Sequence, residues 1–172
     1  LPGKNEKGSP IVKPALWAAG LVLSCAAAVG IVYFQRERDA AALVAQCQAT
    51  VSNGMPGASG ASAQWIAADP KADSPAHCLV KATLSPVAGS TIGVAIRLPE
   101  DWNGKVLGLG GGGWAGNVTA AAAAPGLAAG YATLQTDGGH PGTVVWDNGW
   151  AANPVAADDF AWRAVHEMTV AG

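Results

Sequence analysis

The sequence predicts an α/β fold, and three observations carry that prediction. Residues 92–98 alternate large apolar side chains with small or polar ones at a period of two, as in a strand. Residues 105–110 form a short apolar run that predicts a buried strand, and residues 131–136 predict another strand. Alanine-rich residues 118–123 and the apolar stripe of residues 158–171 predict helices, so strands and helices alternate.

The remaining elements follow from local composition. Residues 36–49 are rich in good helix formers, and residues 78–84 alternate enough to form a strand. Between them, residues 52–63 have the Gly, Ser and Pro content of a loop. Residues 99–104 predict a turn because they end in Asn-Gly, and Pro125 is expected to break or kink the alanine-rich helix.

The N-terminal region contains an uncharged segment, residues 15–34, long enough to cross the roughly 30 Å hydrocarbon core of a bilayer. Lysines precede it, so residues 1–14 are predicted to be a cytoplasmic basic tail. The segment is interpreted as a signal anchor or a signal peptide, with a lipoprotein anchored at Cys25 and a buried core helix as alternatives. An exported protein would hold residues 35–172 in the periplasm, on the cell surface or outside the cell. It would contact the membrane through residues 15–34 if that segment is not cleaved.

Charge excludes one class of partner. Charged residues make up 13% of the 172 residues, and the formal net charge is −2. Such a chain has no basic surface for a phosphate backbone, so nucleic acid is not expected as a partner.

Two cysteines follow the apolar segment, Cys47 and Cys78. In an oxidising compartment they are expected to pair, which the loop-entropy estimate values at about 3–4 kcal/mol. Two unrelated buried thiols remain the alternative. The cysteines and histidines lack metal-binding spacing, so no metal site is expected in this stretch.

The most informative motif is the glycine-rich run of residues 108–117, GLGGGGWAGN, directly after a predicted strand. Adjacent glycines let backbone N–H groups approach a bound atom without a Cβ in the way. Gly108, Gly110 and Gly113 fit the G-x-G-x-x-G pattern of a nucleotide-binding oxidoreductase, with Asp137 at a later strand end. Against this alternative, roughly a hundred residues precede the run, whereas the dinucleotide pattern normally opens its domain.

A second interpretation is an oxyanion site, in which backbone donors bind an ester oxygen as it becomes negatively charged. Gly112 and Gly113 are the expected donors. Trp114 is expected to bind an aromatic substrate, with a shielding role beside the loop as its alternative. A tight turn without a ligand, in a non-catalytic exported binding module, is the third alternative.

Spaced motifs accompany the glycine run in a fixed order. They lie at residues 96–99, 101–105, 110–116, 131–132, 136–140 and 159–168. Together with the spacing of Cys47 and Cys78, they resemble the tannase and feruloyl esterase family over about residues 43–172.

The resemblance implies the N-terminal part of an α/β-hydrolase fold. It also implies an exported serine esterase that acts on small phenolic or aromatic acid esters of the feruloyl or galloyl type. No cofactor is expected in these residues, although members of the family often carry calcium in a lid domain that is absent here.

The catalytic nucleophile is not in this sequence. No G-x-S-x-G motif occurs, and the nearest match, residues 57–60, falls in the predicted loop. Since α/β-hydrolases order their triad Ser, Asp, His, all three are expected beyond residue 172. Residues 35–172 are therefore expected to be a truncated catalytic domain, inactive by itself.

Structural or surface roles are expected for the remaining polar residues. Chain order excludes His140 as the base of such a triad, so a structural role is expected for it. Asp137 is expected to brace a loop, and His77 to be exposed. Asp158 or Asp159 is expected to cap the last helix.

Overall fold

The computed structural model describes the backbone of residues 15–71 and 74–172, with side chains from residue 31 onward. The chain divides into two compact units, Leu1–Ala41 and Ala42–Gly172. The sheet, the disulfide and the glycine-rich run all belong to the second unit.

Helix α1 comprises Ala15–Ala49 and includes the helix predicted for residues 36–49. Within the described residues, no helix is both long enough and apolar enough to cross a membrane. The membrane segment predicted at residues 15–34 is therefore not supported. The side chains of residues 15–30 and the predicted basic tail at residues 1–14 lie outside the described residues.

The second unit is built on a five-stranded mixed sheet in the order β1-β2-β3-β5-β4. Neighbouring strands pair antiparallel except β4 and β5, which are parallel. Together with the helices this confirms the predicted α/β class. The strands are β1 (Ala58–Ile66), β2 (His77–Leu84), β3 (Ile92–Pro99), β4 (Val106–Leu109) and β5 (Ala132–Thr136).

Strand β1 corrects the loop predicted for residues 52–63. Its residues pair with β2 from Ala58 opposite Leu84 onward, with an irregularity between Ser59 and Ser62. Gly and Ser disfavour strands only weakly, and pairing with a preformed neighbour overrides that preference.

Strand β4 lies at one edge of the sheet, with β5 on its inner side. Its residues alternate between exposed and half-buried, and Val106 is 54% exposed. The strand predicted for residues 105–110 is thus correct in position but not in burial, because no described strand covers its outer edge.

Helix α2 comprises Ala120–Ala128 and begins after Thr119, whose hydroxyl caps its first turn. Pro125 lies inside this helix rather than ending it. A Cβ built at Gly126 would lie 2.9 Å from the Thr133 methyl group, so the helix packs closely on β5.

The C-terminal helical segment begins earlier than predicted. It consists of α3 (Pro154–Asp158), a π-helical turn (Asp159–Arg163) and α4 (Ala164–Ala171). Asn153 caps α3, with Pro154 at the first helical position. The cap predicted at residues 158–159 is wrong because this Asn-Pro pair provides a stronger helix start.

The hydrophobic core lies on one face of the sheet, where α4 packs against β5. The expected disulfide between Cys47 and Cys78 is present, with Cα atoms 5.4 Å apart and both residues buried in this core. The other buried residues of the core are Val80, Ala82, Leu84, Ile92, Val94, Ile96, Leu134, Ala164 and Met168.

Candidate functional site

The glycine-rich run leaves the carboxyl end of β4 as an exposed bend, here called the glycine loop (residues 110–117). Gly113 has a φ of +56°, in the left-handed region that favours glycine. A Cβ there would also lie 2.7 Å from the Val145 carbonyl oxygen. Gly112 has no neighbouring atom within 4 Å of such a position. The sharp bend therefore depends on glycine at Gly113 in particular.

Hydrogen bonds in the described structure leave the N–H groups of residues 110–113 free, and the two expected donors, Gly112 and Gly113, are adjacent members of this run. The Ala115 N–H donates to Gly112 O at 3.1 Å, and the Trp114 N–H donates to Val145 O at 2.9 Å. The N–H groups of Gly112 and Gly113 have no acceptor in the part of the chain that the structure describes, and both residues are exposed. Two adjacent free donors are what a developing oxyanion requires.

A cleft of about 340 Å³ opens beside the glycine loop, a volume suited to a small ligand. Backbone of Gly110, Gly111 and Gly113 forms one wall. The facing wall is largely apolar and comes from the π-helical turn and α4. Its side chains are Phe160, Ala164, Val165, Met168 and Thr169.

Four rings pack behind the loop and form the aromatic cluster (Trp114, His140, Trp150 and Phe160). The centroid of Trp114 lies 5.6 Å from Phe160 and 6.1 Å from Trp150. Trp114 is 44% exposed and does not line the cleft beside Gly113. Trp114 therefore packs in the aromatic cluster while part of its indole stays exposed.

His140 joins the aromatic cluster to the loop backbone. Its ring stacks on Trp150 with centroids 4.1 Å apart and meets Phe160 edge-on at 5.2 Å. Its Nε2 lies 2.7 Å from the carbonyl oxygen of Trp114. A carbonyl oxygen only accepts, so Nε2 carries the proton and donates it. The structural role expected for His140 is consistent with these contacts.

The loop that follows β5, here called the second loop (residues 137–142), is in contact with the glycine loop. Asp137 Oδ1 accepts the N–H groups of Gly93 and Gly139, both at 2.9 Å, as expected of a loop-bracing carboxylate. A Cβ at Gly116 would overlap the carbonyl oxygens of His140 and Asp137, so the two loops are in backbone contact. Burial raises the pKa of Asp137, and the hydrogen bonds from Gly139 and Gly93 oppose that rise.

Asp159 closes the site from the helical side. Its carboxylate accepts the Ser90 hydroxyl at 2.7 Å and pairs with Arg163, and the residue is buried. Arg163 also reaches Asp158 at 3.2 Å. This network fixes the turn that carries Phe160 into the aromatic cluster.

A larger cleft, of about 700 Å³, lies over β2 and β3 on the face opposite the core. Arg97 is buried there and donates to Gln135 at 2.5 Å. His77 lines the same cleft and is buried, so the prediction that it is exposed is wrong. Burial lowers the pKa of His77. Because backbone of Gly110, Gly111 and Gly113 lines the smaller cleft, we place the candidate functional site there.

Sequence reasoning identified the glycine loop and Asp137 but did not identify Trp150 or Arg163 as part of the site. Both lie far along the chain from the loop that they support. Neither has a local motif, because only the folded path of residues 145–163 brings them there. No signal in the sequence alone could have found them.

The loop geometry disfavours a dinucleotide. Residues 110–119 separate β4 from α2, so the glycine run does not lead directly into a helix as the dinucleotide pattern does. The Asp137 carboxylate is bound to backbone N–H groups instead of being free for a ribose.

Sequence similarity relates the chain to a known family. The model of the family described as tannase and feruloyl esterase matches residues 78–172. A probable feruloyl esterase B-2 from Aspergillus flavus is 39% identical over 83 residues, 48% of this chain and 16% of that protein. A probable feruloyl esterase from Arthroderma benhamiae is 33% identical over 107 residues, 55% of this chain and 19% of that protein.

Solved structures show the same fold. Feruloyl esterase B from Aspergillus oryzae superposes with a TM-score of 0.61 at 26% identity, over 75% of this chain and 28% of its own. Tannin acyl hydrolase from Aspergillus niger gives a TM-score of 0.51 at 22% identity, over 70% of this chain and 25% of its own. The chain thus spans 28% or less of the length of each of these four proteins.

Proposed function

The chain belongs to the tannase and feruloyl esterase family, and from that premise we propose that it supplies the oxyanion-binding loop of a serine esterase. The observation that supports this function is the pair of free N–H groups at Gly112 and Gly113 beside the cleft of the glycine loop. Family membership supports phenolic acid esters, of the feruloyl or galloyl type, as the substrate class.

In the proposed reaction a serine Oγ attacks the ester carbonyl carbon, and the carbonyl oxygen takes up negative charge. The Gly112 and Gly113 N–H groups donate to that oxygen, and each such donor lowers the barrier by roughly 3–4 kcal/mol. Trp114 adjoins the donors with 44% of its surface exposed, and a phenolic ring can stack on it.

The nucleophile is proposed to come from further sequence of the same protein. These 172 residues contain no G-x-S-x-G motif, and the four related proteins are several times longer than the part that this chain matches. We therefore expect no turnover from residues 1–172 alone. The buried Cys47–Cys78 disulfide supports an extracytoplasmic location for the protein, because disulfides persist in oxidising compartments.

The test is turnover of methyl ferulate and methyl gallate by the full-length protein. Changing Gly113→Val should lower kcat by about 100-fold or more, because the side chain would meet Val145 O and move a donor. Gly142→Val is the matched control, since a Cβ at Gly142 meets no atom within 4 Å. We expect the control to retain wild-type turnover.

Two results would contradict the proposal in different ways. A wild-type protein without activity on either ester would reject the esterase function. Equal turnover by wild type and Gly113→Val would keep an esterase but remove Gly113 from the oxyanion site.

A further inference from the structure

Resting on the proposed function, we infer that His140 is a positioning residue that sets the direction of the Gly113 N–H through a chain of backbone hydrogen bonds. The side chain lies behind the glycine loop and lines neither cleft. Its effect would therefore pass through the loop backbone.

The connection consists of alternating peptide groups and hydrogen bonds. His140 Nε2 donates to the Trp114 carbonyl at 2.7 Å. That carbonyl shares a peptide group with the Ala115 N–H, which donates to Gly112 O at 3.1 Å. Gly112 O in turn shares a peptide group with the Gly113 N–H. Because peptide groups are planar, fixing the Trp114 carbonyl constrains the orientation of the Gly113 donor.

The same chain strengthens the donor as well as orienting it. Hydrogen bonds linked through peptide groups polarise one another in the same direction. Each carbonyl that accepts a hydrogen bond makes the N–H of its own peptide group a better donor. The last N–H in the chain, at Gly113, has no acceptor in the described structure and is the one that would meet the ester oxygen.

The surroundings of His140 hold its ring in the required orientation. The residue is buried, with Trp150 stacked on one face and Phe160 at its edge. Its backbone is also fixed, since its N–H donates to Asp137 O at 3.3 Å and its carbonyl lies against Gly116. The ring therefore cannot rotate away from Trp114 without disrupting the aromatic cluster.

Two substitutions in the full-length protein separate the donor from the ring. His140→Gln keeps an amide N–H near the position of Nε2 but removes the ring. His140→Phe keeps a ring for Trp150 but has no donor. We expect His140→Phe to lower kcat by about 10-fold to 100-fold with little change in KM, because the Gly113 N–H is displaced. We expect His140→Gln to retain kcat within about threefold of wild type.

A second measurement does not depend on turnover. Hydrogen exchange at the Trp114 and Ala115 amides should become at least about tenfold faster in His140→Phe than in His140→Gln, because the turn loses its support. The thermal midpoint of each variant shows whether the fold is retained.

The outcomes are distinct. The positioning role is overturned if both variants match wild type in amide exchange. It is also overturned if His140→Gln lowers kcat as much as His140→Phe does. If the wild type has no esterase activity, the proposed function fails, while the exchange comparison still decides whether His140 holds the loop.

Discussion

Asp137 is a carboxylate whose partners are all backbone groups rather than catalytic side chains. Its Oδ1 accepts the Gly93 and Gly139 N–H groups, which ties the end of β5 to the start of β3 and to the second loop. Burial raises its pKa above the ordinary value of 3.8. The folded protein therefore binds this proton more tightly than the unfolded chain does.

The sign of the pH effect follows from that shift. A raised carboxyl pKa contributes stability at low pH, and this contribution is lost as pH rises through the folded-state pKa. Asp137→Asn keeps the acceptor without the charge, so it should be at least as stable as wild type at about pH 7. The free energy of unfolding of wild type should rise relative to that of Asp137→Asn as the pH falls toward about 4.

Urea unfolding at the two pH values measures this difference. Asp137→Ala is the control that removes the acceptor itself, and it should lose about 1–3 kcal/mol because two N–H groups lose their partner. Equal destabilisation by Asn and Ala at neutral pH would show that the carboxylate charge is required.

At the residue scale, turn chemistry was readable from the sequence and burial was not. Gly113 lies in a glycine-rich run and Asp137 at the end of a predicted strand, and both patterns are typical of loops. The structure places both residues in loops. His77, beside Cys78, was predicted to be exposed. In the fold it is buried in β2, opposite Pro99 of β3.

At the element scale, the strands with clear alternation were predictable and the weakly patterned ones were not. β3 lies where residues 92–98 predicted it. β1 was missed because its Ser, Ala and Gly residues have no strand preference of their own, and it exists through pairing with β2. The start of the last helix was also mispredicted. Asn153 and Pro154 begin it, upstream of the predicted cap at residues 158–159.

The Cys47–Cys78 disulfide ties the end of α1 to the first residues of β2. Replacing both cysteines by serine should lower the free energy of unfolding by about 3–4 kcal/mol, from loop entropy across their separation of 31 residues. Denaturant unfolding with and without a reductant measures this effect.

Cys25→Ser provides the matched control for that experiment and should leave stability unchanged under both conditions. A reductant that does not alter the unfolding midpoint of wild type would contradict the predicted contribution. Two reactive thiols at residues 47 and 78 in the non-reduced protein would reject the bridge itself.

At the scale of the whole molecule, the α/β class could be predicted and the strand order could not. Each strand or helix must bury one apolar face against another layer, and that face is visible in the residue pattern of the element itself. The order β1-β2-β3-β5-β4 depends on which strands meet after the chain crosses over, and no residue pattern specifies that. The exposed edge of β4 follows from this order.

The order also predicts where the sheet opens first. β3 is flanked by β2 and β5 and contributes the fully buried Ile92, whereas β4 pairs on one side only. We expect the amides of β3 to exchange only on global unfolding and those of β4 to exchange by local opening, at least about tenfold faster. Native-state hydrogen exchange measures both strands, and equal protection of β3 and β4 would contradict this ranking.

The hydrogen bonds and ring contacts described above that hold the glycine loop from outside come from chain that is synthesised after it. Val145, His140, Trp150 and Phe160 all follow residue 117. On the ribosome, the bend must therefore emerge without its final shape and acquire it only when Phe160 has left the exit tunnel. The proposed oxyanion-binding loop is thus among the last parts of this region to become ordered.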